Sequence, residues 1–268
     1  MVDHSVRAHR SENVPTRLTP GGARASRRPD ETEQPYQNGG RRHRAAATAA
    51  GILYITGTVA GVLSMLVIAP VRDASDPLAA AAEHSGAVVS GAVLVLVMGL
   101  SLAFVPIVLF PVLRRANEVL ALGYLIMRGA VETTCYVVLA IGWLLVVPLS
   151  SVITAGGGTS SSAGVEAGNL VLGADATNSV LALVFCVGAA MFYTLLYRSR
   201  IAPRWITMWG LIAVALYVAA ALLAMYGVIE ANASTQVLMF MPLAIQEMVL
   251  AVWMIARGFR SPAVTQQR

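Results

Sequence analysis

The feature that most constrains this chain is a series of six long apolar segments separated by short polar breaks. Each segment is close to the ~20 residues that an α-helix needs to cross a hydrocarbon core. Because backbone groups that face lipid must satisfy their own hydrogen bonds, each segment is expected to be helical. The predicted spans cover residues 46–69, 88–110, 119–148, 176–197, 205–228 and 237–257. The predicted fold class is therefore all-α, a bundle of six transmembrane helices.

Composition indicates a membrane protein and distinguishes the apolar central part of the chain from its polar ends. Of the 268 residues, 57% are hydrophobic and 12% charged, against roughly 25% charged in soluble domains. Residues 1–44 are rich in Arg, Pro, Gly and Ser, and we predict a disordered cytoplasmic tail there. A six-span membrane domain is predicted over residues 45–260, followed by a short cytoplasmic tail over 261–268. The Gly/Ser-rich stretch at 156–164 is predicted to be a flexible linker.

The charges between the spans predict the orientation of the chain in the membrane. The outer loops carry one arginine, Arg72, and several acidic residues. With both termini inside, the inner segments hold Arg41, Arg42, Arg44, Arg114, Arg115, Arg198, Arg200, Arg204, Arg257 and Arg260. This bias predicts a multi-pass protein of the cell (plasma) membrane with both termini in the cytoplasm. Since topology explains the basic charge, no nucleic-acid partner is expected.

Two opposite charges lie inside the third segment. A charge at the bilayer centre costs ~2.5–3.5 kcal/mol on insertion scales, so Arg128 needs a partner in the bundle interior. Glu132 is four residues further on, hence on the same helical face. Glu247 of the sixth segment lies ~15 Å from its outer end, at a similar depth. We predict that Arg128 bridges Glu132 and Glu247 and ties the third span to the sixth.

Two interpretations of this cluster are open. It could be a buried latch that fixes the register of the helices, or it could line a polar site for a substrate or a proton. One positive and two negative charges would let one carboxyl hold a proton at neutral pH, and both interpretations accommodate that proton. Pro242, one turn and a residue before Glu247, is expected to kink the sixth span.

Other sequence features give weaker signals. Gly57 and Gly61 form a small-xxx-small pair, which predicts close helix packing, within the chain more than between copies. The two cysteines have no CxxC partner, and the four histidines lie outside the predicted spans, so neither a metal nor a haem is expected. HExxH, GxSxG and GxxxxGK[ST] motifs are absent. No catalytic residue and no cofactor is predicted, and the chain is not expected to be an enzyme.

One known family is similar to the chain in four stretches. They are AAGILYITGTVAG in the first span, MRGAVE in the third, LYRSRIAPRWITMWGLIA between the fourth and fifth, and IQEMVLAVWMIARGF in the sixth. These resemble the domain-of-unknown-function family 4386 of six-span bacterial integral membrane proteins. The resemblance implies six spans and a conserved placement of Arg128, Glu132, Glu247 and Trp253. It implies no activity, ligand or cofactor.

The sequence supports two main functional hypotheses. The first is a small transporter or permeation module whose polar site is the Arg/Glu cluster. The second is a structural or regulatory membrane subunit in which the same cluster is only a packing latch. An intramembrane enzyme is the least supported, because no nucleophile and base pair is present. The expected partners are the lipid bilayer and other membrane proteins, and the oligomeric state is left open.

Overall fold

The structure is a computed structural model of the chain and describes residues 34–155, 161–173, 175–229 and 234–259. The described residues are almost entirely helical and contain no strand. The helices are α1 (Gln34–Arg72), α2 (Pro77–Glu83), α3 (Ser85–Leu113), α4 (Glu118–Tyr124), a π-helical segment (Leu125–Glu132), α5 (Thr133–Ala155), α6 (Ser162–Gly173), α7 (Asp175–Ser199), α8 (Arg204–Met225) and α9 (Ser234–Arg257).

Within the residues that the structure describes, six helical stretches are long and apolar enough to cross a membrane. In chain order, the first to sixth spans are His43–Arg72, Ser85–Leu113, Glu118–Val152, Asn178–Ser199, Arg204–Met225 and Leu238–Arg257. They coincide with the six predicted segments, so the all-α, six-span fold class is confirmed. The third span joins α4, the π-helical segment and α5 into 35 residues. At 1.5 Å per residue it is ~50 Å long, which exceeds the hydrocarbon core and requires tilt or projection beyond it.

The first helix begins earlier than the predicted tail boundary at residue 44. It starts at Gln34, because a helix anchored in an apolar segment gains a hydrogen bond for each residue added and can extend into polar sequence. Pro35 occupies the first turn, where its missing N–H is not needed. The rest of both predicted tails, residues 1–33 and 260–268, lies outside the described residues.

A short helix occupies part of the stretch predicted to be a linker. Residues 156–160 lie outside the described residues, but α6 begins at Ser162, so the loop prediction was wrong there. The reason is packing: α6 contacts α2 and α5, and Leu172 is buried. Its Ala, Val and Leu residues therefore pack on an apolar surface. The Gly and Ser content of the stretch, on which the loop prediction depended, does not reveal that surface.

The six spans form a closed ring. Each span packs against the next one in the chain, through α1 and α3, α3 and the third span, the third span and α7, α7 and α8, and α8 and α9. The sixth span then packs back against the first, because α9 also contacts α1. In such a ring the third and sixth spans lie opposite each other, as do the first and fourth. A side chain that links opposite spans must cross the centre of the bundle.

Glycines allow close approach around this ring. A Cβ at Gly57 would lie 2.9 Å from Leu102, and one at Gly61 would lie 2.5 Å from the Met98 sulfur, so both predicted packing glycines face α3 within the chain. A Cβ at Gly51 would lie 2.6 Å from the carbonyl oxygen of Ala251, at the contact between α1 and α9. Two neighbouring helix axes can come this close only where one side chain is absent.

Candidate functional site

The charged cluster consists of Arg128, Glu132 and Glu247, and the structure brings these three residues together. Arg128 lies in the middle of a π-helical segment of the third span, Leu125–Glu132, and Glu132 ends it. Such segments are rare and occur frequently at functional sites. Just beyond it, the hydroxyl of Thr133 donates to the Arg128 carbonyl oxygen at 3.3 Å, which satisfies a backbone acceptor at this irregular turn.

Arg128 contacts both carboxyl groups. Its Nη1 lies 3.5 Å from Oε2 of Glu132 on the same span. Its Nη2 donates a hydrogen bond of 3.3 Å to Oε1 of Glu247 on the sixth span. The side chains of Arg128 and Glu132 are 1% exposed, and that of Glu247 is 11% exposed. The guanidinium therefore reaches across the ring and is compensated deep inside it.

Aromatic rings from a second pair of opposite spans, the first and the fourth, cover the guanidinium. Its central carbon lies 4.5 Å from the ring centroid of Phe185 on the fourth span and 5.4 Å from that of Tyr54 on the first. A cation over an aromatic face in a desolvated setting gains about 2 kcal/mol. Four of the six spans thus meet at Arg128, which places the charged cluster at the centre of the ring.

Tyrosine hydroxyls surround the charged cluster. Tyr136 donates to Oε1 of Glu132 at 3.2 Å, and the hydroxyls of Tyr54 and Tyr124 are 3.2 Å apart. Sequence reasoning missed these residues, because a tyrosine in an apolar segment resembles any other large core side chain. One signal was present: Tyr124 lies one turn before Arg128, and Tyr136 one turn after Glu132.

A second, uncharged network lies beside the cluster. Tyr193 of the fourth span donates to Oε1 of Gln246 at 2.7 Å, and Nε2 of Gln246 donates to the Ile206 carbonyl oxygen at 3.1 Å. Gln246 is fully buried, and Gly210 leaves the space for it, since a Cβ there would lie 3.0 Å from Nε2. Neighbouring residues of α9 therefore bond in two directions: Gln246 to the fourth and fifth spans, Glu247 to the third.

The charged cluster is not fully satisfied. Within the described residues, Arg128 Nε and Glu132 Oε2 are buried and have no hydrogen-bond partner. Glu132 Oε2 is close enough to Arg128 to form an ion pair, but that contact lacks hydrogen-bond geometry. A buried polar atom without a partner costs about 1–3 kcal/mol. Native proteins rarely keep such atoms without a reason, so the cluster invites a functional explanation.

A comparison with protein families agrees with this architecture. A family model described as "Domain of unknown function (DUF4386)" matches residues 49–258. The chain belongs to this family. The DUF4386 match begins inside the first span and continues through the end of the sixth, so it includes all three residues of the charged cluster, and it confirms the resemblance seen in the sequence. No curated protein and no solved structure matches the chain.

The uncharged network gives a direct test of the packing beside the cluster. We expect Tyr193→Phe to lower the free energy of unfolding by about 1–2 kcal/mol, because Oε1 of Gln246 loses its donor while staying buried. Tyr197→Phe, one turn further along the same helix, is the control, since the Tyr197 ring contacts Arg204 and phenylalanine keeps that ring. Thermal unfolding of both variants in detergent measures the difference. Equal midpoints would show that the Tyr193 hydroxyl contributes nothing.

Proposed function

We propose that the protein is a small transporter or permeation module whose pathway runs along the axis of the six-span ring. The supporting observation is the position of Arg128, which pairs with the third and sixth spans and is covered by rings from the first and fourth. Ionisable residues inside membranes usually face the bundle interior and mark the path of a substrate or proton. Transporter sites likewise form near the midplane from several helices.

The charge of the cluster favours a positively charged species. Two carboxyl groups face one guanidinium, and Oε2 of Glu132, an acceptor, lacks a hydrogen bond. A latch serves its purpose best when every buried polar atom is satisfied. A site that must release its ligand keeps polar atoms that are satisfied only when the ligand is present. The transported or coupled species proposed here is accordingly a small cation or a proton.

Arg128 and Glu132 are almost completely buried. For a transporter, this conformation would therefore be an occluded state, in which the polar site is closed to both sides of the membrane. The same burial is the observation that favours a second candidate function. A structural or regulatory membrane subunit would use the charged cluster as a permanent latch between the third and sixth spans, and its interior would stay dry. The two candidates therefore differ in whether the centre of the ring ever meets water.

We also infer that the protein lies in the plasma membrane with both termini in the cytoplasm. His43 and Arg115 are 3.2 Å apart, and Gly258 lies beside Arg44, so the starts of the first and third spans and the end of the sixth share one basic end of the ring. The opposite end carries the Arg72–Asp73 pair. Arginine-rich ends of membrane spans usually face the cytoplasm.

Thiol accessibility decides between the two candidates. In a background with Cys135→Ser and Cys186→Ser, Tyr54→Cys places a thiol on the side of α1 that faces the guanidinium and the centre of the ring. We expect a charged, membrane-impermeant thiol reagent to modify it in membrane vesicles, because an alternating pathway hydrates the centre. Ile52→Cys is the matched control, since Ile52 is 53% exposed on the outer, lipid-facing side of the same helix and should not react.

The orientation of the vesicles shows from which side of the membrane the reagent enters. Right-side-out and inverted vesicles report which face of the membrane opens to the centre of the ring. A folded Tyr54→Cys variant that resists the reagent from both faces would reject the transporter and favour the latch.

A further inference from the structure

We propose that the turn between the fourth and fifth spans binds the headgroup of an anionic phospholipid, whose acyl chains lie along the outer side of α8. The arginine turn consists of residues 198–204, with the sequence RSRIAPR. This surface lies outside the charged cluster, and the lipid would bind whether or not the protein transports a substrate.

Three positive charges meet in the arginine turn without compensation. It holds Arg198, Arg200 and Arg204 and no acidic residue. All three are exposed, and within the described part of the chain no carboxyl group pairs with any of them. By contrast, the exposed Arg72 at the opposite end of the ring pairs with Asp73. The arginine turn therefore presents an unbalanced positive charge to its surroundings.

Packing holds the arginine turn in place. Its central apolar residues, Ile201 and Ala202, are 1% and 2% exposed, so they anchor the turn in the bundle. The central guanidinium carbon of Arg204 lies 5.4 Å from the ring centroid of Tyr197, which belongs to the last turn of α7. This contact brings the Arg204 side chain back to the position next to Arg198. A headgroup bound here meets a backbone that is already ordered, which lowers the entropy cost of binding.

The backbone of Arg200 indicates a use for its side chain. Its φ is 55°, and among the described residues no other residue besides glycine has a positive φ. The left-handed conformation is unfavourable for a residue with a Cβ, and helices that end on such a conformation usually have glycine there. Arg200 directly follows the last residue of α7, where glycine would fit with less strain. Strained residues of this kind cluster at functional sites.

An apolar strip on the outer side of α8 adjoins the arginine turn. Trp205, Met208 and Ile212 are 59%, 44% and 65% exposed and recur at helical spacing along the fifth span. The Trp205 ring stacks on that of Trp209, with centroids 6.4 Å apart. Tryptophan is typical of the boundary between headgroups and hydrocarbon. Positive charge at headgroup level therefore continues into an apolar surface at the depth of the acyl chains.

These two parts together favour a phospholipid over other anionic partners. A free phosphate would contact the arginines and leave the apolar strip uncovered, whereas an acidic protein would have to reach that strip through the hydrocarbon. Charge complementarity requires a headgroup with a net negative charge, such as that of phosphatidylglycerol. The phosphate of phosphatidylcholine is already balanced by its own cation. Anionic lipids are also characteristic of the cytoplasmic leaflet, which the arginine-rich end of the ring is inferred to face.

Thermal unfolding of the purified full chain in detergent micelles tests the site. We expect added phosphatidylglycerol to raise the unfolding midpoint, because a ligand that binds only the folded state stabilises it. Phosphatidylcholine and inorganic phosphate at the same concentration should leave the midpoint unchanged. An equal response to either would show that the surface does not select an anionic lipid. No response to phosphatidylglycerol would exclude the lipid and favour an acidic protein partner, and each of these results overturns the proposal.

Arg200→Gly separates lipid binding from folding. Glycine adopts the left-handed conformation freely, so the midpoint without added lipid should equal or exceed that of the wild type. The concentration of phosphatidylglycerol that gives half of the maximal shift should rise about fivefold, which corresponds to ~1 kcal/mol for one basic residue at an anionic surface. Arg198→Gln removes one exposed charge without changing a strained position and should have the same effect on the titration.

Arg114→Gln is the matched control. Arg114 is exposed at the same end of the ring and, like Arg204, has its guanidinium near an aromatic ring, that of Phe110. This variant should keep the wild-type titration with phosphatidylglycerol. An equal weakening in Arg114→Gln would show a general attraction to the basic end and no site at the arginine turn. An unchanged titration in both Arg200→Gly and Arg198→Gln would likewise overturn the proposal.

Discussion

Replacing Arg128 by leucine is expected to lower the free energy of unfolding by about 3–5 kcal/mol, the usual effect of leaving a buried charge without its partner. The variant loses the counter-charge of Glu132 and Glu247 together with the contacts to Tyr54 and Phe185. Leucine has no group that could satisfy either carboxyl. We expect a much lower yield of monodisperse protein and a lower midpoint of thermal unfolding in detergent.

The matched control removes the carboxylates as well. Arg128→Leu combined with Glu132→Gln and Glu247→Gln leaves no charge at the centre of the ring, so most of the lost stability should return. A second control is Arg72→Leu, because the Arg72–Asp73 pair is exposed and such pairs contribute about 0–1 kcal/mol. If Arg128→Leu alone were as stable as the wild type, the guanidinium would not be compensating these carboxyl groups. A destabilised triple variant would instead assign the loss to packing against the aromatic rings.

The charged cluster could be anticipated because charge in hydrocarbon demands a partner. Hydropathy gives the depth of each residue along its span but says nothing of which helix it faces. Arg128 supplied the missing information: its partner had to lie at the same depth, and Glu247 was the acidic residue of another span that did. The high free-energy cost of placing Arg128 in hydrocarbon thus predicted a contact between residues that are far apart in the chain.

The uncharged parts of the site could not be anticipated in the same way. Burying a tyrosine hydroxyl or an amide costs less free energy than burying a charge, and such a group has many possible partners. The sequence therefore does not predict the Tyr193–Gln246 bond. The π-helical geometry of Leu125–Glu132 has no residue pattern of its own in the sequence. The closure of the ring between α1 and α9 is likewise a property of all six helices together.

Glycine spacing also revealed only part of the packing. Gly57 and Gly61 are one turn apart and were found by that pattern, but Gly51 and Gly99 have no second glycine at this spacing. A Cβ at Gly99 would lie 2.9 Å from the Cβ of Tyr136. This glycine therefore lets the third span pack closely on α3, with the large side chain of Tyr136 at the contact. A single glycine that faces one large side chain, or a carbonyl oxygen, leaves no glycine repeat in the sequence.

Gly51→Ala is expected to cost about 3 kcal/mol, near the upper end of the usual overpacking range, because the added methyl group meets main chain. Its Cβ would lie 2.6 Å from the Ala251 carbonyl oxygen and from the Ile255 side chain. Gly86→Ala is the control: nothing lies near that Cβ, and better helix propensity should leave stability unchanged or raise it by up to about 1 kcal/mol. Thermal unfolding in the same detergent compares the two. Since a backbone oxygen cannot rotate away, an unaffected Gly51→Ala would mean that the first and sixth spans do not meet here, and a ring open at that point would have no enclosed centre for Arg128 to occupy.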